Sequence, residues 1–188
     1  MGRWPRRAQL GLRRYGRRDL TYDYREANLV GRFIRRTAGL KPVALFYART
    51  LHHLDRLVFR LTRGRRFFAS IITGLPVIML TTTGARSGQP RTNPLLGIPD
   101  GDSLIVIASN YGQRRNPSWA YNLRAHPNAH VALEGDERDV IARELTGDER
   151  TRCYELGIEI YPGWVNYRER ASHREIPVFR LEHDQPAT

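Results

Sequence analysis

The sequence predicts an α+β fold: a small, mostly antiparallel β-barrel of about six strands, with peripheral helices and an N-terminal helical extension. Short β-rich runs follow one another from residue 77 onward, turn sequences separate several of them, and helical patterns are inserted late in the chain. The chain has 188 residues, 40% of them hydrophobic, which is enough for one domain with its own core.

The N-terminal extension is predicted to be partly helical and is strongly basic. Apolar residues recur at helical spacing within 28–36 and 42–63. Residues 1–66 contain 18 Lys and Arg against 4 Asp and Glu, whereas residues 67–188 contain 13 against 15. We therefore divide the chain into a basic extension, residues 1–66, and a barrel domain, residues 67–188.

Three interpretations of the basic extension stay open. An amphipathic, arginine-rich helix can lie on an anionic membrane surface. It can also pack against the barrel, which we favour for residues 42–66 because their apolar stripe is too short to be stable alone. Nucleic-acid binding is disfavoured, since no known DNA-binding motif accompanies the arginines.

The barrel domain is predicted to alternate strands with hairpin turns before its later helices. The turn sequence PDGD predicts a hairpin between the second and third strands, and GDE predicts one between the fourth and fifth. The predicted strands are 77–82, 92–98, 104–109, 129–133, 138–144 and 176–181. The predicted helices are 116–124, 147–161 with Thr146 as N-cap, and 164–170.

Several classes of protein are disfavoured by composition. The single cysteine, Cys153, excludes an internal disulfide framework and fits a reducing cytoplasm; we expect it to be a small buried apolar side chain. No metal site is expected, because adjacent His52 and His53 diverge on a helix and no Cys/His cluster accompanies them. No run of about 18 apolar residues predicts a membrane span, and no secretion signal is expected.

The connection LTTTGARSGQPRTNPLLG, residues 80–97, is longer than an ordinary hairpin turn. It concentrates glycines, hydroxyl groups and two arginines. Glycines let backbone N–H groups face a concavity, and guanidinium groups make two-point contacts with phosphate or carboxylate. The P-loop spacing is absent, which disfavours a nucleoside triphosphate. From these residues alone, an anion site and a solvated polar loop both stay open.

A second cluster is ASNYGQRRNPSWAYNLRAHP, residues 108–127, where a strand end leads into a helix. Asn116 suits the N-cap position and Pro117 the first helical position. We expect Trp119 and Leu123 to face the core and Asn122 to be an amide on the helix surface. A capped helix packed on a barrel would show the same pattern without any ligand.

The two clusters together resemble the deazaflavin-dependent nitroreductase family, the split-β-barrel oxidoreductases that use coenzyme F420. The resemblance rests on TTTG-x-x-SG-x-x-R-x-x-PL followed by ASN-x-G and NP-x-W-x-x-NL-x-A-x-P, and covers about residues 67–182. It implies a split β-barrel, F420 (an 8-hydroxy-5-deazaflavin) as cofactor, and hydride transfer to an electrophilic acceptor such as a quinone or a nitro or enone compound.

The resemblance also implies which residues of this chain bind the cofactor. Those at its phosphate and acidic tail would be Thr83, Gly84, Arg86, Ser87 and Arg91. Those around its ring would be Pro94, Leu95, Ala108, Ser109, Asn110, Gly112, Asn116, Pro117 and Trp119. Two positions depart from many relatives, because Ala85 and Asn110 replace basic residues; Arg114 and Arg115 are the candidates to compensate.

The candidate catalytic residues are Ser109 and three aromatic residues of the segment EIYPGWVNYRER: Tyr161, Trp164 and Tyr167. Their spacing by three puts the aromatic rings on one face if the segment is helical. In the family's nitroreductase branch all three are tyrosines that line the substrate pocket. Trp164 can stack and donate its indole N–H but is a poor acid, which favours a planar quinone over a nitro compound. An aromatic stripe that is simply core is the alternative.

Two further alternatives remain at the level of function. One is a non-catalytic protein that binds F420 or another anionic cofactor, and the other is an FMN-dependent oxidoreductase on the same barrel. The expected partners are a small-molecule electron acceptor, a second copy of the chain, and an anionic membrane surface. The expected location is the cytoplasm, with the inner face of the plasma membrane as the site of peripheral association.

Overall fold

A computed structural model describes residues 77–133 and 136–183. Within them, seven strands form one antiparallel sheet in the order β2-β1-β5-β6-β7-β4-β3. The strands are β1 (Val77–Thr83), β2 (Pro90–Leu96), β3 (Ile98–Asp100), β4 (Ser103–Ile107), β5 (Asn128–Leu133), β6 (Asp136–Glu144) and β7 (Val178–His183). The helices are α1 (Ser118–Ala125), α2 (Gly147–Ile160) and α3 (Gly163–Arg170), and a 3-10 turn spans Asn110–Gly112.

The two edge strands of the sheet, β2 and β3, are consecutive in the chain and separated only by Gly97. The chain therefore pairs with β1, bends at Gly97 and then pairs with β4, which brings the two edges together and curls the sheet. A side chain does not fit at this bend. A Cβ atom at position 97 would lie 2.7 Å from Cγ2 of the fully buried Ile78.

Strand β4 is buried on both faces. Leu104 and Val106 point into the barrel interior, where Trp119 and Leu123 of α1 also pack. Ile105 and Ile107 point the other way, into a second core formed with α2 and α3. Because successive strand side chains alternate between faces, two cores require the continuous apolar run that β4 has.

The predicted fold class is confirmed, with corrections to individual elements. About six strands were expected, and the described residues form seven because Gly97 divides the predicted strand 92–98 into β2 and β3. The PDGD hairpin consequently joins β3 to β4. Helix α1 begins at Ser118, with Pro117 at the cap position rather than Asn116, and the Thr146 side chain forms no capping hydrogen bond.

Three predictions about the core are confirmed, and several others concern residues that the structure does not describe. Trp119, Leu123 and Cys153 are buried, as expected. The two helices of the basic extension, His52, His53 and the proposed boundary at 66–67 lie outside the part of the chain that the structure describes. Among residues 77–133 and 136–183, no helix is long and apolar enough to cross a bilayer, and no group of His, Cys, Asp and Glu could hold a metal ion.

We expect Gly97→Ala to destabilise the fold by up to about 3 kcal/mol, because the added methyl group overpacks the core against Ile78. Gly101→Ala is the control: Gly101 has φ of 65° and open space around its Cβ direction, so only the backbone cost of about 1 kcal/mol applies. Urea denaturation followed by tryptophan fluorescence measures both. Equal losses in the two variants would contradict the proposed close approach at Gly97.

Candidate functional site

The loop between β1 and β2 is folded back on itself at the base and exposed at the tip. The N–H of Gly84 donates to the carbonyl of Gln89 at 2.9 Å, and the N–H of Gly88 donates to the carbonyl of Gly84 at 2.8 Å. Gly88 adopts φ of 64°, a conformation that favours glycine. Residues 85–91 are exposed, so this loop can meet a ligand without rearrangement of the sheet.

The buried amide of Asn122 ties this loop to α1. Its Oδ1 accepts the N–H of Ala85 at 3.0 Å, and its Nδ2 donates to Oγ1 of Thr82 at 2.9 Å. The Thr82 hydroxyl in turn donates to the carbonyl of Arg91 at 3.4 Å. The expectation that Asn122 lies on the helix surface is wrong, because it is only 7% exposed.

We expect Asn122→Ala to lower the free energy of unfolding by about 1–3 kcal/mol, because a buried donor and acceptor lose their partner. Amide hydrogen exchange should accelerate at Ala85, whose N–H is released. Tyr121→Ala, on the exposed side of the same helix, is the matched control and should leave the exchange of Ala85 unchanged. Unchanged exchange at Ala85 in Asn122→Ala would contradict the assigned role.

The second segment, residues 108–117, begins with a sharp turn after β4. Asn110, Tyr111 and Gly112 have φ of 46°, 56° and 76°, so three successive residues occupy the left-handed region. The Asn110 side chain donates to the carbonyl of Arg115 at 2.8 Å. A Cβ atom at Gly112 would lie 2.6 Å from Cβ of Arg170, which requires glycine for a second reason.

Arg174, in the loop between α3 and β7, binds this segment through its guanidinium group. Its guanidinium donates to the carbonyl oxygens of Ser109 at 2.8 Å and Gln113 at 3.0 Å, and to Oδ1 of Asn116. Burial lowers the pKa of Arg174 from its ordinary value. Sequence reasoning missed this residue, because its partners are about 60 residues away and nothing local marks it.

The four candidate catalytic residues are brought together and are buried. The indole N–H of Trp164 donates to Oγ of Ser109 at 3.3 Å, and the hydroxyl groups of Tyr161 and Tyr167 are 3.1 Å apart. The rings of Tyr161 and Trp164 meet edge to face with centroids 5.6 Å apart.

The sequence suggested that the three aromatic rings share one face of a helix, and this is wrong for Tyr161, which is not helical. It has φ of −135° and ψ of 94° at the end of α2, and α3 begins only at Gly163. The Tyr161 ring lies where a Cβ of residue 163 would be, so glycine at that position allows the ring to fold back toward Tyr167.

Burial raises the pKa of two tyrosines in this region, Tyr167 and Tyr154. Desolvation, followed by the proximity of Tyr161 and its hydrogen bond, raises the pKa of Tyr167 far above its ordinary value. Desolvation also raises the pKa of Tyr154 to about 12; its hydroxyl donates to the carbonyl of Trp164. Neither group is a ready proton donor near neutral pH.

Tyr167→Phe should reduce the alkaline loss of stability. An unfolded tyrosine ionises near pH 10, whereas folded Tyr167 keeps its proton, so unfolding releases a proton and stability falls as pH rises above that value. The difference in free energy of unfolding between about pH 7 and pH 11 should therefore be smaller in Tyr167→Phe. Urea denaturation at both pH values measures it, with the exposed Tyr121→Phe as control. Equal alkaline losses in Tyr167→Phe and the wild type would show that burial of the Tyr167 hydroxyl does not raise its pKa.

The exposed arginines of these two segments differ from most other arginines of the described chain in having no ion-pair partner there. Arg86, Arg91, Arg114 and Arg115 form no ion pair with any residue in 77–133 or 136–183. Seven arginines elsewhere in the described chain are paired with carboxylates: Arg124, Arg138, Arg143, Arg150, Arg152, Arg168 and Arg180. The other two are engaged differently, because Arg174 binds backbone carbonyls and Arg170 lies over the ring of Tyr167. Both loops also attach to α1, so the uncompensated positive charge is suited to an anionic ligand.

The remaining predicted cofactor residues lie around these loops at different depths. Thr83 ends β1 half-buried, and Ser87 is exposed in the loop, where its Oγ accepts the N–H of Gln89. Pro94 and Leu95 are half-buried on β2. Trp119 is buried in the barrel interior, where its ring packs against Phe179. The others, Ala108, Asn110, Gly112, Asn116 and Pro117, belong to the second segment described above.

Comparisons with known proteins agree on one family. A family model described as F420H(2)-dependent quinone reductase matches residues 56–183. An F420H(2)-dependent quinone reductase of Mycobacterium tuberculosis is 31% identical over 156 residues, which is 81% of this chain and 97% of the relative.

Two solved structures resemble the chain in both fold and sequence. An F420-H2-dependent reductase, FDR-A, superposes with a TM-score of 0.53 at 37% identity, covering 57% of this chain and 94% of the other. A structure described as a domain-swapped dimer superposes with a TM-score of 0.56 at 32% identity, covering 68% and 95%.

Proposed function

The chain belongs to the F420H(2)-dependent quinone reductase family, and we propose that it binds F420H2 on its two arginine-bearing loops and reduces a quinone. The family model covers most of the chain, from residue 56 to residue 183. The chain is therefore an F420-dependent oxidoreductase on a split β-barrel, as the sequence motifs implied.

The observation that carries the assignment of the cofactor site is the uncompensated charge of the loops. Arg86 and Arg91 on one side and Arg114 and Arg115 on the other are exposed and lack ion pairs within the described residues. The phosphate and acidic tail of F420 supply the negative charge that these groups lack, so the residues present fit the cofactor. Arg114 and Arg115 take the place of the basic residues missing at Ala85 and Asn110.

The remaining cofactor contacts follow from the same placement. The hydroxyl groups of Thr83 and Ser87 bind the tail, and Gly84, whose own N–H donates to the carbonyl of Gln89, shapes the base of the loop. The ring lies along the second segment and β2, against Pro94, Leu95, Ala108, Ser109, Asn110, Gly112, Asn116 and Pro117. Trp119, the remaining predicted cofactor residue, is buried beneath the site, where its ring packs against Phe179.

When bound, the deazaflavin supplies a hydride, and the chain has to position the acceptor beside it. Tyr161, Trp164 and Tyr167 form an aromatic wall suited to a planar quinone. The indole N–H of Trp164 donates to the Ser109 hydroxyl oxygen, which leaves the hydroxyl hydrogen free to donate to a bound acceptor.

The neutral, buried tyrosines favour quinones over acceptors that need a strong proton donor. A quinone that accepts a hydride becomes a phenolate, which can take its proton from water. Neither Tyr167, whose pKa is raised by burial, nor the Trp164 indole is an effective acid at neutral pH. This makes nitro compounds poorer substrates.

The direct test is the oxidation of F420H2 by a soluble quinone in the presence of the purified protein. The increase in absorbance of oxidised F420 measures the rate. We expect saturable turnover with the quinone and much slower turnover with a nitroaromatic compound. Binding of F420H2 without turnover of any acceptor would favour the non-catalytic carrier. Turnover with reduced FMN but not with F420H2 would favour the flavin alternative.

Removing the loop charge should weaken cofactor binding selectively. Arg86→Gln and Arg91→Gln should each raise the dissociation constant of F420 by about tenfold, because each removes a charge-assisted contact of about 1.4 kcal/mol or more. The dependence of binding on salt should decrease as well. Arg168→Gln is the control, since exposed Arg168 is paired with Glu155 at 2.6 Å outside the loops. Equal affinities in all three variants would contradict the tail assignment.

The membrane location and the pairing of this chain are proposals of the same kind. The excess of Lys and Arg in residues 1–66 supports peripheral binding to the anionic inner face of the plasma membrane, where a lipid-soluble quinone is available. The related domain-swapped dimer supports a homodimer. Co-sedimentation with anionic and neutral vesicles tests the first proposal, and light scattering of the purified chain tests the second.

A further inference from the structure

The guanidinium of Arg174 is half-buried without a carboxylate partner among the described residues. Its side chain instead binds neutral acceptors, and three of them belong to one segment: the carbonyls of Ser109 and Gln113 and Oδ1 of Asn116. Nearby Arg150 shows the contrast, because it binds the carbonyl of Ile176 and also pairs with Glu175 at 2.9 Å.

The three contacts of Arg174 enclose the strained turn at residues 110–112. Ser109 precedes this turn and Gln113 follows it, so a single planar group fixes the carbonyls on both sides. Asn110 and Tyr111 are non-glycine residues with positive φ, each costing on the order of 1 kcal/mol or more. Such a conformation persists only where its surroundings determine it, and Arg174 provides that restraint.

Asn116 extends the restraint to the start of α1. The segment from Ser109 to Asn116 carries the predicted contacts with the cofactor ring, including the Ser109 hydroxyl that Trp164 orients. A shift of this segment would move Ser109 relative to the ring and alter binding, because positioning effects fall off steeply with distance.

We propose that Arg174 is a positioning residue that holds the 109–116 segment in the shape that receives the deazaflavin ring. This inference rests on the proposed function for the identity of the ligand. Lysine cannot reproduce it, because a guanidinium directs its donors in a fixed plane toward separate acceptors, whereas an ammonium is a single point charge.

Arg174→Lys is the test variant, and it retains the positive charge. In the cofactor-free protein, amide exchange should accelerate at residues 110–113 while remaining unchanged at Ala85 in the other loop. The dissociation constant of F420 should rise by about tenfold, equivalent to about 1.4 kcal/mol. In turnover, the KM for F420H2 should rise while the KM for the quinone stays the same.

Arg150→Lys is the matched control. Arg150 also donates through Nε and Nη2 to a backbone carbonyl, but that carbonyl belongs to Ile176, outside the 109–116 segment. This variant should lower the melting temperature without changing the affinity for F420. Asn116→Ala, which removes one of the three contacts, should accelerate exchange at residues 110–113 in the cofactor-free protein by less than Arg174→Lys does.

The outcomes separate this inference from the proposed function. If the wild type binds F420 and Arg174→Lys binds it equally well with unchanged exchange at 110–113, the positioning role is overturned. Equal losses of affinity in Arg174→Lys and Arg150→Lys would show only a general structural role and would also overturn it. If the wild type itself does not bind F420, the proposed function fails first, and the inference fails with it.

Discussion

Burial of β4 on both faces is the constraint on which the rest of the structure depends. Its side chains alternate between the barrel interior, closed by α1, and the outer core, closed by α2 and α3. The strand therefore links all three helices to the sheet. The chain leaves it at Ser109, which contacts Trp164 of α3 through its hydroxyl and Arg174 through its carbonyl. The proposed site lies where these layers meet.

Charge is distributed over the described residues in a way that matches this layout. Around β6, β7 and α2, arginines pair with carboxylates such as Asp100 and Glu149. In the loops attached to α1 the exposed arginines have no such partners. Exposed ion pairs contribute little to stability, so their absence from the loops carries little cost, and we propose that these guanidinium groups bind the anionic cofactor.

The features that sequence could predict are those with a local pattern. Helical spacing correctly assigned Trp119 and Leu123 to the core, and the order of the TTTG and NP-x-W motifs identified the family. The missed features depend on distant partners. Asn122 looks like a surface amide until its hydrogen bonds to Ala85 and Thr82 are known.

Arg174 and Gly97 were missed for related reasons. An arginine in a basic chain gives no indication that it binds backbone carbonyls about 60 residues away. A single glycine within a β-rich run can be tolerated in a strand, and only the approach of Ile78 shows that the chain must bend there.

The measurement that tests the proposed cofactor site most directly is an equilibrium titration of the purified protein with F420 and, separately, FMN, followed by tryptophan fluorescence. Trp164 contacts Ser109 and should report on occupancy of the ring site. We predict saturable quenching by F420 that weakens at high salt, and much weaker binding of FMN. Tighter binding of FMN, or no response to either cofactor, would contradict the assignment of these loops to F420.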